Sequence, residues 1–173
     1  MGPTRMTERA EPRWLTDDEQ ASWLALTSVL VRLSAALDAQ LRRDAGMSNF
    51  EYQVLSALSE APDRTLRMSG LASFTESSMP RVSHVVARLE EHGWVRRTPD
   101  PTDGRGTLAA LTEDGWATVV ATAPGHVAQV RALVLDPLDP ALVRQLGEIH
   151  RRIMKAIDPD DDCFRRRPGR SDH

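Results

Sequence analysis

A single cysteine, Cys163, is all the thiol this chain carries, so no disulfide framework closes within it and no cysteine-built zinc site is expected. An excess of charge of one sign is also missing. Lys and Arg number 22 against 25 Asp and Glu, for a formal net charge of -3, so any binding to a polyanion has to be local rather than global. No run of residues approaches the roughly 18 apolar positions of a membrane span, and residues 1–15 mix Arg, Glu and Pro without the apolar core of a secretion signal. The expected setting is reducing cytoplasm, with no membrane partner. The chain lacks a Gly-rich phosphate loop, H-E-x-x-H, G-x-S-x-G and clustered Cys/His ligands, and the carboxylates of residues 158–162 have nothing to hold them in geometry. No enzyme, catalytic residue, metal or cofactor is therefore expected.

What the chain does have is helical periodicity with start and stop signals. Residues 1–15 read as a disordered arm. Thr16 with Glu19 forms a capping box, with Asp17 and Asp18 adding negative charge where the helix dipole favours it. Trp23, Leu26, Leu30, Leu33, Leu37 and Leu41 then recur every three or four residues up to Gly46, a helix of about 29 residues and about 43 Å. That is too long for one small core. Ser48 with Glu51 opens a second helix with Phe50, Val54, Leu55 and Leu58 as its stripe, Met47 and Tyr52 as a staple across its start, and Pro62 beyond its end. Met68, Leu71, Ala72 and Phe74 mark a short third helix. Further on, Thr112 caps a helix carrying Trp116, Val119, Val120, Ala123, Val127, Val130 and Val134, with a kink or break expected at Pro124-Gly125. Asp139 as N-cap and Pro140 at the first helical position begin the last helix, whose apolar edge is Leu142, Leu146, Ile149, Ile153 and Ile157. From residue 158 onward an acidic stretch gives way to a basic one with too little apolar surface to pack, a disordered tail.

Residues 77–112 combine a helix with a basic hairpin. Val82, Val85, Val86 and Leu89 form the apolar face of the helix, while Arg81, Ser83, His84 and Arg88 point elsewhere. Pro80 is tolerated only in a first turn, so the helix starts near Ser77 or Ser78, either of which can be its N-cap, and Gly93 ends it. Residues 94–98 and 107–111 are short β-like runs flanking the turn-rich residues 99–106, a hairpin with Arg105 near its tip. Between residues 64 and 97, six arginines face three glutamates, a modest local excess of positive charge. Two helices joined by a tight turn, the second cationic on one face, followed by a hairpin, make a helix-turn-helix with a wing. The fold class expected is mainly α with a small β-hairpin wing.

The chain resembles the MarR-type winged-helix regulators of bacteria. The resemblance lies at Leu71-Ala72, Val82, His84-Val85-Val86, Arg88-Leu89-Glu90, Gly93-Trp94-Val95-Arg96-Arg97, Asp100-Pro101, Asp103-Gly104-Arg105 and Leu111-Thr112. The D-x-R followed by L-T across the wing is its most specific part. Thr75, Glu76 and Ser77 stand where many relatives have an apolar residue, a glycine and another apolar residue, with Phe74 as a substitute anchor. The resemblance implies a winged helix-turn-helix DNA-binding domain at 47–112 and a helical dimerisation region built from 16–46 and 113–157, between the arm at 1–15 and the tail at 158–173. It further implies a cytoplasmic transcriptional regulator, more often a repressor. Such a protein binds a pseudo-palindromic double-stranded DNA operator as a homodimer, with a small aromatic ligand as its effector.

Residue roles follow from that resemblance. Ser78, Arg81, Ser83 and His84 are expected to reach base edges, Arg81 foremost as a guanine contact, while Arg88, Arg96 and Arg97 meet phosphates. Arg105 is expected in the minor groove, its guanidinium oriented by Asp103. Trp14, Trp23, Phe50 and Tyr52 are candidates to line an effector pocket, against their ordinary reading as core aromatics. Cys163 is read as inert tail chemistry rather than as a redox sensor. The rival reading is a winged-helix module that binds protein instead of DNA, in complexes indifferent to salt and to competing duplex.

Overall fold

The computed structural model describes residues 12–159, apart from the side chain of Arg105. Most of the expected arm, the tail from residue 160 and Cys163 lie outside the described residues. The chain divides into two units, one ending at Leu33 and the other beginning at Ser34.

Helix α1 (Asp17–Ala45) begins at the expected capping box: the Thr16 N–H donates to Glu19 Oε2 at 2.8 Å and the Glu19 N–H to Thr16 Oγ1 at 3.3 Å. It stops at Gly46, whose φ of +68° an L side chain rarely adopts. In the first unit Trp23, Leu24, Val29, Leu30 and Val31 are all exposed. One expectation is corrected here, because α1 is long and apolar enough to cross a membrane by length and composition alone. The reason is its small residues. Ala, Ser and Thr interrupt the apolar stripe without adding charge, and Arg32 is the only charged residue between positions 20 and 37.

The second unit holds the core. Helix α2 (Asn49–Glu60) packs Val54, Leu55 and Leu58 against Leu71 of α3 (Met68–Phe74), Val82, Val86 and Leu89 of α4 (Met79–Glu91), and Val95. Met47 and Tyr52, the expected staple, are both buried in this cluster. Strands β1 (Thr65–Arg67), β2 (Val95–Asp100) and β3 (Asp103–Leu111) form an antiparallel sheet in the order β1-β3-β2. The three residues of β1 are too few to show an alternation, which is why only the hairpin is legible in the sequence.

The turn between α3 and α4 closes without the substitute anchor. Phe74 is 40% exposed, and the turn is held by local bonds, with Thr75 Oγ1 donating to Leu71 O at 2.7 Å and the Ser77 N–H to Ala72 O at 2.9 Å. Glu76 takes φ +47°, the left-handed conformation that suits the glycine many relatives carry there. Helix α5 (Glu113–Val130), capped by Thr112 Oγ1 accepting from the Gly115 N–H at 3.0 Å, runs through Pro124 without the expected break. The carbonyl that Pro124 leaves unpaired belongs to Val120, an exposed residue, so water can serve it. The irregularity comes later, as a π-helical turn at Arg131–Leu135. Helix α6 (Pro140–Ile157) opens at Asp139, whose Oδ1 accepts from the Ala141 and Leu142 N–H groups at 2.7 and 2.9 Å. Its edge of Leu142, Leu146, Ile149, Ile153 and Ile157 is exposed throughout.

Candidate nucleic-acid interface

Helix α4 is set by signals at both ends. Ser78 is its N-cap but makes no side-chain cap bond, so its hydroxyl stays available, and Pro80 lies in the first turn. At the other end the Gly93 N–H donates to Glu90 O at 2.9 Å and the Trp94 N–H to Leu89 O at 2.9 Å, a Schellman closure around Gly93 at φ +74°. With Val82, Val85, Val86 and Leu89 buried, the helical period puts Pro80, His84, Ala87 and Glu91 along the opposite, outward side. Arg81 and Arg88, two turns apart, occupy one flank, and half-buried Ser83 the other.

Both flanking arginines rest on the first turn of α2. The Arg81 guanidinium lies 4.2 Å from the centre of the Phe50 ring, a cation–π contact. Arg88 Nη2 is 3.1 Å from Oε1 of Glu51, a side chain only 5% exposed. The other oxygen, Oε2, accepts from the Ser48 N–H at 2.7 Å and from Ser48 Oγ at 2.8 Å, while Ser48 Oγ accepts from the Glu51 N–H at 3.2 Å. One residue after Ser48, the Asn49 N–H donates to Asp38 Oδ1 of α1 at 2.9 Å. The start of α2 is thus a joint between α1 and the recognition helix, and Glu51 is a residue the sequence suggests only as a cap.

The wing is tighter than its turn-rich sequence suggests. Its strands continue to Asp100 and resume at Asp103, so the turn is only Pro101-Thr102. Pro99 pairs with Thr107 and Asp100 with Asp103, so Gly104, Arg105 and Gly106 bulge from β3 as a three-residue excursion with Arg105 at its middle. Beside it lies Asp100, 5% exposed. Its Oδ1 accepts from Thr102 Oγ1 at 2.7 Å and from the Thr102 N–H at 2.8 Å, and Arg67 Nε of β1 lies 2.8 Å from Oδ2. The Thr102 bonds first, and then the Arg67 charge, hold Asp100 below the usual carboxylate range. Arg67 also donates from Nη2 to Thr102 Oγ1 at 3.1 Å and approaches Asp103 Oδ2 to 3.8 Å. Asp103, expected to serve Arg105, therefore also faces a cation from β1. Arg67 had no signal of its own in the sequence.

Of the expected phosphate contacts, Arg96 is exposed. Arg97 is engaged with Glu90 of α4: its N–H donates to Glu90 Oε1 at 3.0 Å and its Nε to Oε2 at 2.8 Å. These bonds hold Glu90 below its ordinary pKa. Two of the four aromatic candidates, Phe50 and Tyr52, belong to the second unit. Phe50 carries Arg81 on its face, whereas Tyr52 is buried with its ring 4.6 Å from that of His126. His126 Nδ1 is 3.2 Å from Oε1 of buried Gln40, whose Nε2 donates to Asp44 Oδ2 at 3.0 Å. That orientation of the Gln40 amide places the imidazole proton on Nδ1, and burial pushes the pKa of His126 down. Trp14 and Trp23 belong to the first unit and are 81% and 55% exposed.

Residues 45–106 match the MarR family. The fold is similar to that of Sco3205, a MarR family transcriptional regulator from Streptomyces coelicolor solved in complex with DNA. The two share 46% identity over 87% of this chain and 94% of that one, with a TM-score of 0.84. Two curated relatives come from Bacillus subtilis. The helix-turn-helix-type regulator YdcH is 39% identical over 64 residues, 37% of this chain, and the repressor YetL is 25% identical over 111 residues, 62% of this chain. The chain spans 44% and 66% of their respective lengths. With the winged helix-turn-helix in place and a 46% identical relative matched over nearly its whole length, the chain belongs to the MarR family of transcriptional regulators.

Proposed function

We propose that the protein binds double-stranded DNA as a homodimer and represses transcription from a pseudo-palindromic operator, with α4 of each subunit in a major groove and the β2–β3 wing in a minor groove. The observation that carries this reading is the place of Arg105, a cation midway along a glycine-flanked excursion on a winged helix similar to that of a relative solved on DNA. On α4, Ser78, Ser83 and His84 face base edges, and Ala87 lets the helix sit close to the floor of the groove. Arg81 reaches DNA from the flank by leaving the Phe50 ring. Arg88, Arg96 and Arg97 serve phosphates, but Arg88 and Arg97 already hold carboxylates. If those two stay paired, three arginines per subunit remain, and the dimer has a log–log salt slope of about -5 rather than the roughly -9 of five free ones.

The exposed apolar residues of α1 and those of α6 are the surfaces assigned to a second copy of the chain, since monomers rarely leave such stripes in water. Similarity to Sco3205 over 87% of this chain supports reading α1 as part of a cytoplasmic DNA-binding protein rather than as a membrane span. The relative YetL supports repression. A small aromatic effector releases DNA by binding better to a dimer whose recognition helices are misplaced, and the α2 joint with Phe50 is where it acts on α4.

The test is selection of duplexes from a random pool by the full chain, followed by titration of the selected duplex with Arg105→Ala. The variant is expected to bind well over tenfold more weakly, about 2 to 3 kcal/mol and the upper part of the range for a good arginine contact, with its helical content unchanged. Equal affinity removes the wing from the interface. A chain that enriches no duplex refutes the DNA reading and favours the protein-binding module.

A further inference from the structure

We propose that Arg67, on strand β1, is a positioning residue for DNA binding: it clasps the wing turn from the far side of the sheet and thereby sets the path of the excursion that carries Arg105. The inference rests on the reading of Arg105 as a groove contact.

The excursion lies outside the regular strand ladder. Regular pairing of β2 with β3 ends at Pro99 and Thr107, and the next pair, Asp100 with Asp103, is reached only after three unpaired residues. Two of these three are glycines, which have the most conformational freedom to lose on ordering. The ladder therefore cannot specify where Arg105 goes. Its two ends are pinned instead. At one end Gly106 lies against Asp100, so close that a Cβ there would sit 3.0 Å from the Asp100 Cβ and 3.3 Å from Oδ2. At the other end stands Asp103, approached by Arg67 Nη1.

Both pins lead back to one guanidinium. Asp100 is a nearly buried carboxylate, and such a group is tolerated only with partners. Thr102 occupies Oδ1, and at Oδ2, which accepts no hydrogen bond, stands the Arg67 charge with Nε 2.8 Å away. The same planar fork then reaches Thr102 Oγ1 with Nη2 and faces Asp103 with Nη1. Three of the four residues of the turn are thus tied to a single side chain, and that side chain comes from neither wing strand. Because Arg67 pairs in register with Leu108 of β3, it is anchored to the middle strand of the sheet. A lysine could match the charge but not the fork, having a single point of donation.

The experiment uses the full chain, a duplex selected from a random pool by the wild-type protein, and four variants: Arg67→Gln, Arg67→Lys, Arg105→Ala and the double variant R67Q/R105A. R67Q is expected to weaken binding to the selected duplex about tenfold, and R67Q/R105A to bind within about twofold of R105A, since two residues acting as one unit are not additive. R67K is expected to lie nearer R67Q than wild type. Without DNA, the amide resonances of Gly104 and Gly106 should move in R67Q and R67K while that of Gly93 stays in place. Wild-type affinity in R67Q or R67K overturns the clasp. So do unmoved Gly104 and Gly106 resonances. Losses that multiply in the double variant, with the dimer's salt slope reduced by about two in R67Q, make Arg67 a phosphate contact of its own and overturn it as well. Failure of the wild-type chain to select any duplex is a different result, which removes the DNA reading and the positioning role with it.

Discussion

Glu51→Gln tests whether the start of α2 is the joint that holds the recognition helix. The wild-type carboxylate serves three donors with two oxygens: Ser48 N–H and Oγ at Oε2, and Arg88 Nη2 at Oε1. Glutamine offers one oxygen. Whichever way the amide turns, its NH2 group faces either the Ser48 donors or the Arg88 guanidinium, so the substitution sets donor against donor as well as removing the charge. The amide keeps the capping box by turning its oxygen to Ser48, since glutamine serves that position as glutamate does. What is lost is the ion pair with Arg88, worth up to about 1 kcal/mol because half-exposed Arg88 can return to water. The expected loss of stability is therefore about 1 kcal/mol, or about 2 to 4 °C in melting temperature for a chain of this size. Urea denaturation of wild type, Glu51→Gln, Arg88→Met and the double variant measures it. Because the pair shares one contact, the cycle should show at least about 0.5 kcal/mol of coupling. A loss below about 0.5 kcal/mol, or strict additivity, refutes the joint.

Glu76→Gly should stabilise the chain by up to about 1 kcal/mol, because glycine adopts φ +47° without the steric cost that glutamate bears there; destabilisation in the same denaturation assay would count against a strained turn. Replacing Ile149 and Ile153 together by Glu should yield a monomer in sedimentation equilibrium, because both side chains stand on the exposed edge of α6; an unchanged mass would move the dimer surface elsewhere. His126 predicts a pH effect. Its folded pKa lies below the unfolded value of about 6.5, so the unfolded chain binds the proton first and stability falls as pH drops below about 6.5 towards the folded value. His126→Gln should remove that part of the slope, and an unaltered slope in pH-dependent melting would assign it to other groups.

The reach of the sequence follows the reach of the interactions. Capping boxes at Thr16 and Ser48, the Asp139 cap and the Schellman closure at Gly93 all join residues within five positions of one another, so their residue types announce them. The wing, too, was legible through D-x-R and L-T. The boundaries inside it were not, because Pro101, Gly104 and Gly106 all look like turn residues while only Pro101-Thr102 turns.

By itself the sequence determined the helices, their caps and the winged helix-turn-helix order, since each depends on local spacing and backbone chemistry. It also narrowed the cations to α4 and the wing. Only the tertiary structure decided which of these cations have partners: Arg81 on Phe50, Arg88 on Glu51, Arg97 on Glu90, and Arg67 across the wing turn. It likewise brought in β1, whose three residues acquire strand geometry by pairing with β3 and not from any pattern of their own. The physical reason is common to all of these. A charge or a short strand is defined by what folding places opposite it, and residues such as Arg67 and Asp100 are too far apart in the chain for spacing to register the encounter.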